Sequence, residues 1–480
     1  MRGAEYDAVV VGAGPNGLAA AITLGQAGRR VLVREAAATI GGGVRSAEFT
    51  QPGAIHDVCA AAFPLGVASS FLRSLPLDTH GLTWVHSPAV VAHPLDNGTA
   101  VLLERSVAAT AAHLGIDGDA YQRLMNPLVR DWEQITNAVL SPLRPPPIGA
   151  MPSAALARFG LRGLWSARAL AEGIFRDEPA RALLAGMAGH SIQRLEAPLS
   201  AAFGLLLGLL GHAVGWPIAR GGAQTIADSM ATMVNMLGGT IETNARVDTL
   251  DDLPPSPIVL FDTSARAAGR IAGPRLSTGT QAALARFRHG PGAFKVDWLL
   301  DGPIPWLAPD CARAATVHLG GTLREIAASE SKVARGEHPT DPFVMLVQPS
   351  LFDATRAPAG QHTIWAYCHV PVGSTQDVTA AIEAQVERFA PGFQQRIIAR
   401  ASMNPREFEQ HNANYVGGDI SGGTMDLQQL IFRPLRRMDP YRLSNDGLFL
   451  CSSATPPGAG AHGLCGYQAA RSALRWRRAS

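Results

Sequence analysis

The sequence predicts an α/β fold with a parallel sheet in one lobe, and a second lobe of mixed sheet capped by helices. Three observations support this prediction. The chain has 480 residues, which is long for one domain. Its first 35 residues follow a strand–helix–strand pattern with buried strands. Residues 290 to 370 then alternate in the manner of β-strands, after a long helical stretch.

The composition excludes some classes of protein. Hydrophobic residues make up 47% and charged residues only 17%, which supports a large core and excludes a disordered chain. The 41 basic residues against 39 acidic ones leave a net charge of +2, without a long basic run. A nucleic-acid-binding protein needs such a basic footprint, so nucleic acid is not expected as a partner.

The cysteines and the apolar segments bear on location. The five cysteines are odd in number and scattered without a CxxC pair, which favours a reducing compartment over zinc or a disulfide framework. The N-terminal apolar run passes directly into glycines, unlike a signal peptide. The longest apolar stretch, Ala201 to Gly211, is shorter than the roughly 18 residues of a membrane span. We therefore expect a cytoplasmic protein without a metal site.

The first elements can be assigned residue by residue. Ala8 to Val11 is a short apolar strand, Gly12 to Gly17 a tight turn, and Leu18 to Ala27 an Ala/Leu-rich helix. Gly28 ends this helix, and Val31 to Val33 supplies a second buried strand. The chain therefore begins with a βαβ unit.

The later elements follow from Pro/Gly breaks and from the period of the apolar residues. In chain order they are a proline-rich break at Leu143 to Pro152, a helical stretch from Ser153 to Gly211, an amphipathic helix from Ala223 to Leu237, strands at Thr240 to Val247 and Ile258 to Asp262, a helix from Thr379 to Phe389, a strand from Gly447 to Cys451, and a helix that starts near Gly463.

The turn after the first strand carries the spacing GxGxxG. Gly12, Gly14 and Gly17 allow a tight turn, close approach of the backbone to a pyrophosphate, and close packing of helix on strand. Glu35 lies 18 residues after Gly17, where a carboxylate accepts hydrogen bonds from ribose hydroxyls and repels a 2′-phosphate. The pattern predicts a Rossmann-type dinucleotide site that disfavours NADP, and the alternative of a glycine-rich turn without a ligand is much weaker.

A second glycine run, Gly41-Gly42-Gly43-Val44-Arg45, extends this fingerprint beyond what a nicotinamide dehydrogenase needs. With it, the chain resembles the glutathione-reductase-type flavoproteins. Within them it resembles the phytoene desaturase-related oxidoreductases, with amine oxidases as more distant relatives. The resemblance extends almost end to end, through Gly221-Gly222, Gly238 to Val247, Ile258 to Asp262, Gly447 to Ser453 and Pro457 to Gly463.

The resemblance implies that FAD is the cofactor. Because both binding motifs are complete and no Cys or His matches a known position of flavin attachment, we expect FAD to be held without a covalent link. The residues that it places at FAD are Gly12, Gly14, Pro15, Asn16, Gly17, Glu35, Gly42, Gly43, Arg45, Val247, Ser453, His462, Gly463 and Leu464. The backbone of Val247 should meet the adenine and Ser453 the ribityl chain, although Ser452-Ser453 departs from the usual family pattern at this turn. The helix that starts near Gly463 should stabilise reduced flavin by its N-terminal N–H groups.

The resemblance also implies a discontinuous FAD-binding domain, because the two flavin motifs lie at opposite ends of the chain. We expect residues 1–80, 215–275 and 435–480 in this domain. Residues 81–214 and 276–434 should form the substrate-binding domain.

Lys295 and His462 are the candidate catalytic residues. Lys295 and Lys332 are the only lysines, so a lysine in a β-like run is unexpected, and lysine unlike arginine can lose its proton when buried. The stretch from Phe294 to Trp306 is similar to the amine-oxidase-like segment whose lysine holds a water against flavin N5. The alternative is a surface lysine on an edge strand. Further histidines could face a substrate cavity or be structural: His190, His212, His369 and His411.

The function we expect is that of an FAD-dependent oxidoreductase, dehydrogenase- or desaturase-like, that moves hydride between a hydrophobic organic substrate and the flavin. Two alternatives stay open: an amine-oxidase-like enzyme acting on a C–N bond, and a flavin-binding protein without turnover. The apolar run from Ala201 to Leu210 is most simply a core helix. It could also form a tunnel wall or touch a membrane surface, which leaves peripheral membrane contact open.

Overall fold

The computed structural model describes residues 5–142 and 152–479. The predicted proline-rich break at Leu143 to Pro152 lies outside these residues except for Pro152. The strands are β1 (Ala8–Val11), β2 (Val31–Arg34), β3 (Ser46–Ala47), β4 (His56–Asp57), β5 (Trp84–Val85), β6 (Ala89–Pro94), β7 (Ala100–Leu103), β8 (Ile218–Ala219), β9 (Thr240–Glu242), β10 (Val259–Phe261), β11 (Gly292–Leu300), β12 (Ala314–Leu319), β13 (Val344–Val347), β14 (His362–Val370), β15 (Ile397–Met403) and β16 (Leu448–Leu450).

Helices connect and cover these strands. They are α1 (Pro15–Gln26), α2 (Pro64–Ala68), α3 (Ser70–Arg73), α4 (Val107–Ala112), α5 (Gly118–Arg130), α6 (Trp132–Val139), α7 (Ala154–Gly163), α8 (Ala167–Ile174), α9 (Glu178–Gly189), α10 (Ser200–Ala213), α11 (Gln224–Met236), α12 (Ala265–Ala272), α13 (Thr278–Ala285), α14 (Leu323–Ala334), α15 (Thr379–Phe389), α16 (Pro405–His411), α17 (Leu427–Phe432) and α18 (Leu464–Ala479).

The first sheet is parallel, with strand order β16-β10-β1-β2-β9. Its strands come from the beginning, the middle and the end of the chain, and β1 is buried along its whole length. α1 packs against α18 so closely that a Cβ added at Gly466 would lie 1.7 Å from the Asn16 carbonyl oxygen. The last helix thereby closes onto the first βαβ unit.

The second sheet is mixed, with strand order β15-β11-β14-β13-β12-β6-β7 and a parallel pair at β12 and β6. Alternate residues of β14 enter two different cores. Trp365 and Tyr367 pack on the side of α9 and α10, whereas Ile364 and Ala366 pack on the side of α15. This period of two is the alternation that residues 290 to 370 show in the sequence. The two sheets confirm the predicted α/β fold class, while the exact domain boundaries stay a prediction.

Several predicted elements differ at their ends. The first helix begins at Pro15, three residues before the predicted Leu18, because proline fits the first helical turn. The strand predicted from Thr240 to Val247 ends at Glu242, since the chain turns at Asn244, which has a φ of 52°. The helix from Thr379 to Phe389 has the predicted bounds.

Within residues 5–142 and 152–479, no helix is long and apolar enough to cross a membrane. The apolar stretch that begins at Ala201 forms most of α10, which has 14 residues and is largely buried.

Candidate functional site

Residues from both sheets line a cavity with a volume of about 900 Å³. One end meets the glycine-rich turn after β1, and the other end lies against α10 and the second sheet. A volume of this size is at the upper end of what ligand pockets in proteins have. The two ends differ sharply in chemistry.

The first end is built around the N-terminus of α1. The residue that precedes this helix is Gly14, and no side chain caps it, so the cavity faces backbone groups. A Cβ at Gly12 would lie 2.6 Å from the Asp262 carbonyl oxygen, and one at Gly14 would lie 2.7 Å from Asp262 Oδ2. Glycine is therefore required at both positions by the approach of β10.

Asp262 is a site residue that sequence reasoning did not single out. It follows β10 directly, lines the cavity, and accepts the Gly17 N–H at Oδ2 over 2.8 Å. Burial raises the pKa of Asp262 to about 7, and the nearby charge of Glu35 adds to this rise. The available signal was an acidic residue at the carboxyl end of a buried strand, which is where ligands bind in parallel sheets.

Glu35 lies where the fingerprint predicts, at the end of β2 and in the lining of the cavity. Its Oε2 accepts the Ala13 N–H over 2.9 Å, and its Oε1 accepts the Ala37 N–H over 2.9 Å. Arg45 donates to Oε1 over 3.2 Å and also to the Thr39 carbonyl oxygen over 2.8 Å. These contacts hold the carboxylate of Glu35 at the glycine-rich turn.

Most of the residues expected at the cofactor line the cavity. They are Gly12, Gly14, Pro15, Asn16, Glu35, Gly42, Gly43, Arg45, Val247 and Ser453. Gly17 does not line it. Gly17 instead allows α1 to pack closely on the turn, since a Cβ at this position would lie 2.0 Å from the Gly12 carbonyl oxygen.

At the C-terminal turn, three of the residues expected at the cofactor do not line the cavity. Gly460 and Ala461 line the cavity, whereas His462, Gly463 and Leu464 do not. The Nδ1 atom of His462 accepts the Leu464 N–H over 3.0 Å at the start of α18. Burial lowers the pKa of His462 to about 4, so the imidazole is neutral there. The ring of His462 caps a helix, and a contact of this turn with the flavin stays a prediction.

Lys295 is buried, and the alternative of a surface lysine on an edge strand is wrong. Its strand β11 lies between β15 and β14, and 1% of the residue is exposed. Its Nζ lies 2.5 Å from Asp297 Oδ2 and 4.9 Å from the centre of the Phe49 ring. The other Asp297 oxygen lies 3.3 Å from His56 Nδ1. Lys295 itself is not among the residues that line the cavity.

The charge of Lys295 nevertheless reaches two residues of the cavity lining. Burial raises the pKa of the Cys59 thiol, and the Lys295 charge opposes this rise. Burial lowers the pKa of His411, and the charges of Arg45 and Lys295 lower it further. Lys295 thus lies close behind the cavity wall, and a contact with flavin N5 stays a prediction.

The second end of the cavity is apolar. Phe203, Leu206 and Leu207 of α10 line it, while Leu205 and Leu209 of the same helix are fully buried in the core. A helix that is apolar on all sides can pack into the core with one face and line an apolar cavity with another. α10 is therefore a core helix and a cavity wall at once.

The remaining candidate histidines separate into two groups. His190 and His411 line the cavity, and His289, which sequence reasoning did not consider, does too. His212 bonds the Tyr121 hydroxyl over 2.8 Å, and His369 bonds Glu330 over 2.9 Å, both away from the lining. In the part of the chain that the structure describes, no group of three or more His, Cys, Asp or Glu side chains could hold a metal ion.

Fold and site define a dinucleotide-binding oxidoreductase. Residues 10–75 match the model of the NAD(P)-binding Rossmann-like domain. The chain is 26% identical to pyridine nucleotide-disulfide oxidoreductase domain-containing protein 2 of Rattus norvegicus, over 98% of this chain and 94% of the relative. It is 26% identical to the neurosporene-forming phytoene desaturase of Rhodobacter capsulatus, over 55% of this chain and 54% of that one.

The fold is also that of a solved amine oxidase. Putrescine oxidase in its putrescine-bound wild-type form aligns with a TM-score of 0.64 and 17% identity, over 98% of both chains. Together these findings agree with the resemblance seen in the sequence: the chain is an oxidoreductase that is similar to a phytoene desaturase over about half of its length and shares the fold of putrescine oxidase.

Proposed function

We propose that the chain is an FAD-dependent oxidoreductase that transfers hydride between a hydrophobic organic substrate and the flavin. The observation that carries this proposal is one cavity with a dinucleotide-type end and an apolar end. Bound FAD would supply a two-electron acceptor, which this chain's side chains do not contain. The protein's part is to position the substrate and to exclude water.

The residues at the first end fit FAD. The uncapped N-terminus of α1 offers backbone N–H groups and a partial positive charge to a pyrophosphate. Glu35 is held at the place where a carboxylate accepts ribose hydroxyls, and it disfavours a 2′-phosphate. Val247 and Ser453 line the same cavity and would meet the adenine and the ribityl chain.

The second end favours an apolar substrate. Aliphatic and aromatic side chains of α7 and α10 form its wall, and such a lining is typical of sites for hydrophobic ligands. The name of the phytoene desaturase relative supports a desaturase-like reaction. The fold shared with putrescine oxidase keeps open the alternative of a reaction at a C–N bond.

Anaerobic bleaching of the flavin by polyenes and terpenoids, with amines as the contrast set, distinguishes a desaturase-like reaction from one at a C–N bond. Faster reduction of the flavin by amines would favour the C–N reaction.

Denaturing extraction of the purified protein, followed by mass spectrometry of the released molecules, tests the cofactor. We expect FAD, and acid precipitation should release all of the yellow colour because the link is not covalent. Glu35→Arg should abolish FAD retention, since it removes the ribose acceptor and places a cation against Arg45. An extract without FAD, or flavin that stays on the acid pellet, contradicts the respective part of the proposal.

A further inference from the structure

His190 is the histidine at the apolar end of the cavity, and its ring is held in place by two neighbours. It follows α9, and its Nε2 lies 2.9 Å from the Nε2 of His318 on β12. Its ring also meets the Trp216 ring edge-on, with the ring centres 5.2 Å apart. Because His318 engages Nε2, the Nδ1 atom of His190 is the one left for a ligand.

Two further polar side chains line this end without a partner. The Thr316 hydroxyl and the Trp365 Nε1–H are both buried and bond no described residue. Both belong to the strands under the cavity, and each is paired in register with Val347. A buried polar atom without a partner is costly, which makes a ligand with a matching polar group favourable.

The carboxylates of the described cavity lining lie at the dinucleotide-type end and not at the apolar end. The carboxylates that line the described cavity are Glu35 and Asp262, and both bond backbone N–H groups of the glycine-rich segment. Burial lowers the pKa of His190 to about 3, so its imidazole is neutral. A cationic ligand group would therefore find no anionic partner at the apolar end.

We propose that the apolar end takes a hydrophobic substrate that carries a neutral oxygen function, a hydroxyl or carbonyl group, which the Nδ1 atom of His190 binds. A pure hydrocarbon would leave the polar groups of His190, Thr316 and Trp365 without partners. An amine would bring a charge into a site that cannot neutralise it. This inference rests on the proposed function, because it names the substrate class of the same cavity.

Binding of a matched set of compounds tests the inference without turnover. Farnesol, farnesal, farnesylamine and farnesene share one apolar chain and differ in its polar end. Trp216 and Trp365 line the cavity, so their fluorescence reports binding to the purified protein with its cofactor. We expect farnesol or farnesal to bind about tenfold more tightly than farnesene, the factor that one hydrogen bond supplies, and more tightly than farnesylamine.

Two variants test which side chains cause the preference for the oxygen function. His190→Phe keeps a ring against Trp216 and should remove the preference for the oxygen function while farnesene binding stays the same. Thr316→Val should reduce the preference by a smaller factor. Thr363→Val is the matched control, because the Thr363 hydroxyl is also buried and unpartnered in the same sheet but does not line the cavity. Thermal unfolding of each variant shows that it is folded.

Three results would overturn the inference: equal affinity for farnesene and farnesol, tightest binding of farnesylamine, or a preference that survives in His190→Phe. Any of them in a protein that yields FAD on extraction leaves the proposed function standing. A protein that yields no FAD overturns the proposed function, whereas the binding preference and its loss in His190→Phe test the substrate class.

Discussion

Asp262 places a second carboxyl group beside Glu35 at the glycine-rich turn, and its protonation depends on the fold. In the unfolded chain, an aspartate ionises near its ordinary pKa of 3.8, whereas burial raises the pKa in the folded chain to about 7. Between these values the folded state binds the proton and the unfolded state has lost it. The stability that Asp262 contributes is therefore lost as the pH rises from about 4 to about 7.

Asp262→Asn removes this titration and keeps an oxygen that accepts the Gly17 N–H. We expect the free energy of unfolding of the variant, relative to the wild type, to rise across this window by up to about 1.4 kcal/mol per pH unit. Urea unfolding at a series of pH values measures it. Asp252→Asn, at an exposed aspartate whose pKa is lowered by the Thr249 N–H, is the control and should show no such rise. Parallel pH profiles for wild type and Asp262→Asn would contradict the prediction.

Lys295→Met tests whether the buried lysine acts on the flavin. FAD should remain bound, while flavin reoxidation or turnover should fall by about 10²-fold, as for one positioned proton-transfer group. Lys295→Arg should not restore the rate, because the larger guanidinium must fit a site that is 1% exposed. Stopped-flow flavin kinetics measures both variants.

The control for Lys295→Met is Lys332→Met, at the only other lysine, which is partly exposed on α14. The double variant Lys295→Met with Asp297→Asn removes both members of the buried pair and limits the loss of stability. Normal flavin kinetics in Lys295→Met and in the double variant would show that the pair is structural only.

At the scale of elements, the N-terminus of α18 is capped by a side chain from the preceding turn. The residues before it form a turn in which His462 accepts the Leu464 N–H and its own carbonyl oxygen accepts the Ser69 hydroxyl over 2.6 Å. The histidine is therefore used to close the helix end, and the preceding Gly460 and Ala461 are the residues that reach the cavity. The motif predicts the helix start, which the structure places at Leu464, while the residues of this turn that contact the cofactor stay a prediction.

On the scale of the whole molecule, exposed apolar side chains border the cavity. Leu164 is 59% exposed and Leu427 is 47% exposed, and both line the cavity. Beside Leu164 in the chain, Leu161 is 71% and Trp165 is 53% exposed. Apolar groups at the opening of an apolar cavity are costly in water and stabilising at a lipid surface. We therefore propose that this rim touches a membrane, from which a hydrophobic substrate could enter.

Sedimentation with phosphatidylcholine–phosphatidylglycerol vesicles tests this contact. The wild type should sediment with the vesicles, and the double variant Leu161→Glu with Trp165→Glu should lose most of that binding while it stays folded. Met236→Glu changes an equally exposed apolar residue that does not line the cavity and should bind like the wild type. A wild type that stays in the supernatant, or equal loss in the control, would contradict the proposal.

The sequence by itself determined the βαβ unit, its glycine-rich turn and the place of Glu35, because these depend on contiguous residues with a regular period. The tertiary structure alone decided that Asp262 meets Gly17, which lies 245 residues away, and that His190 bonds His318. Such contacts depend on strand order and on how helices pack, and neither can be predicted from the spacing of residues along the chain. The burial of Lys295 has the same origin, since β15 and β14 must flank its strand before the lysine is shielded from water.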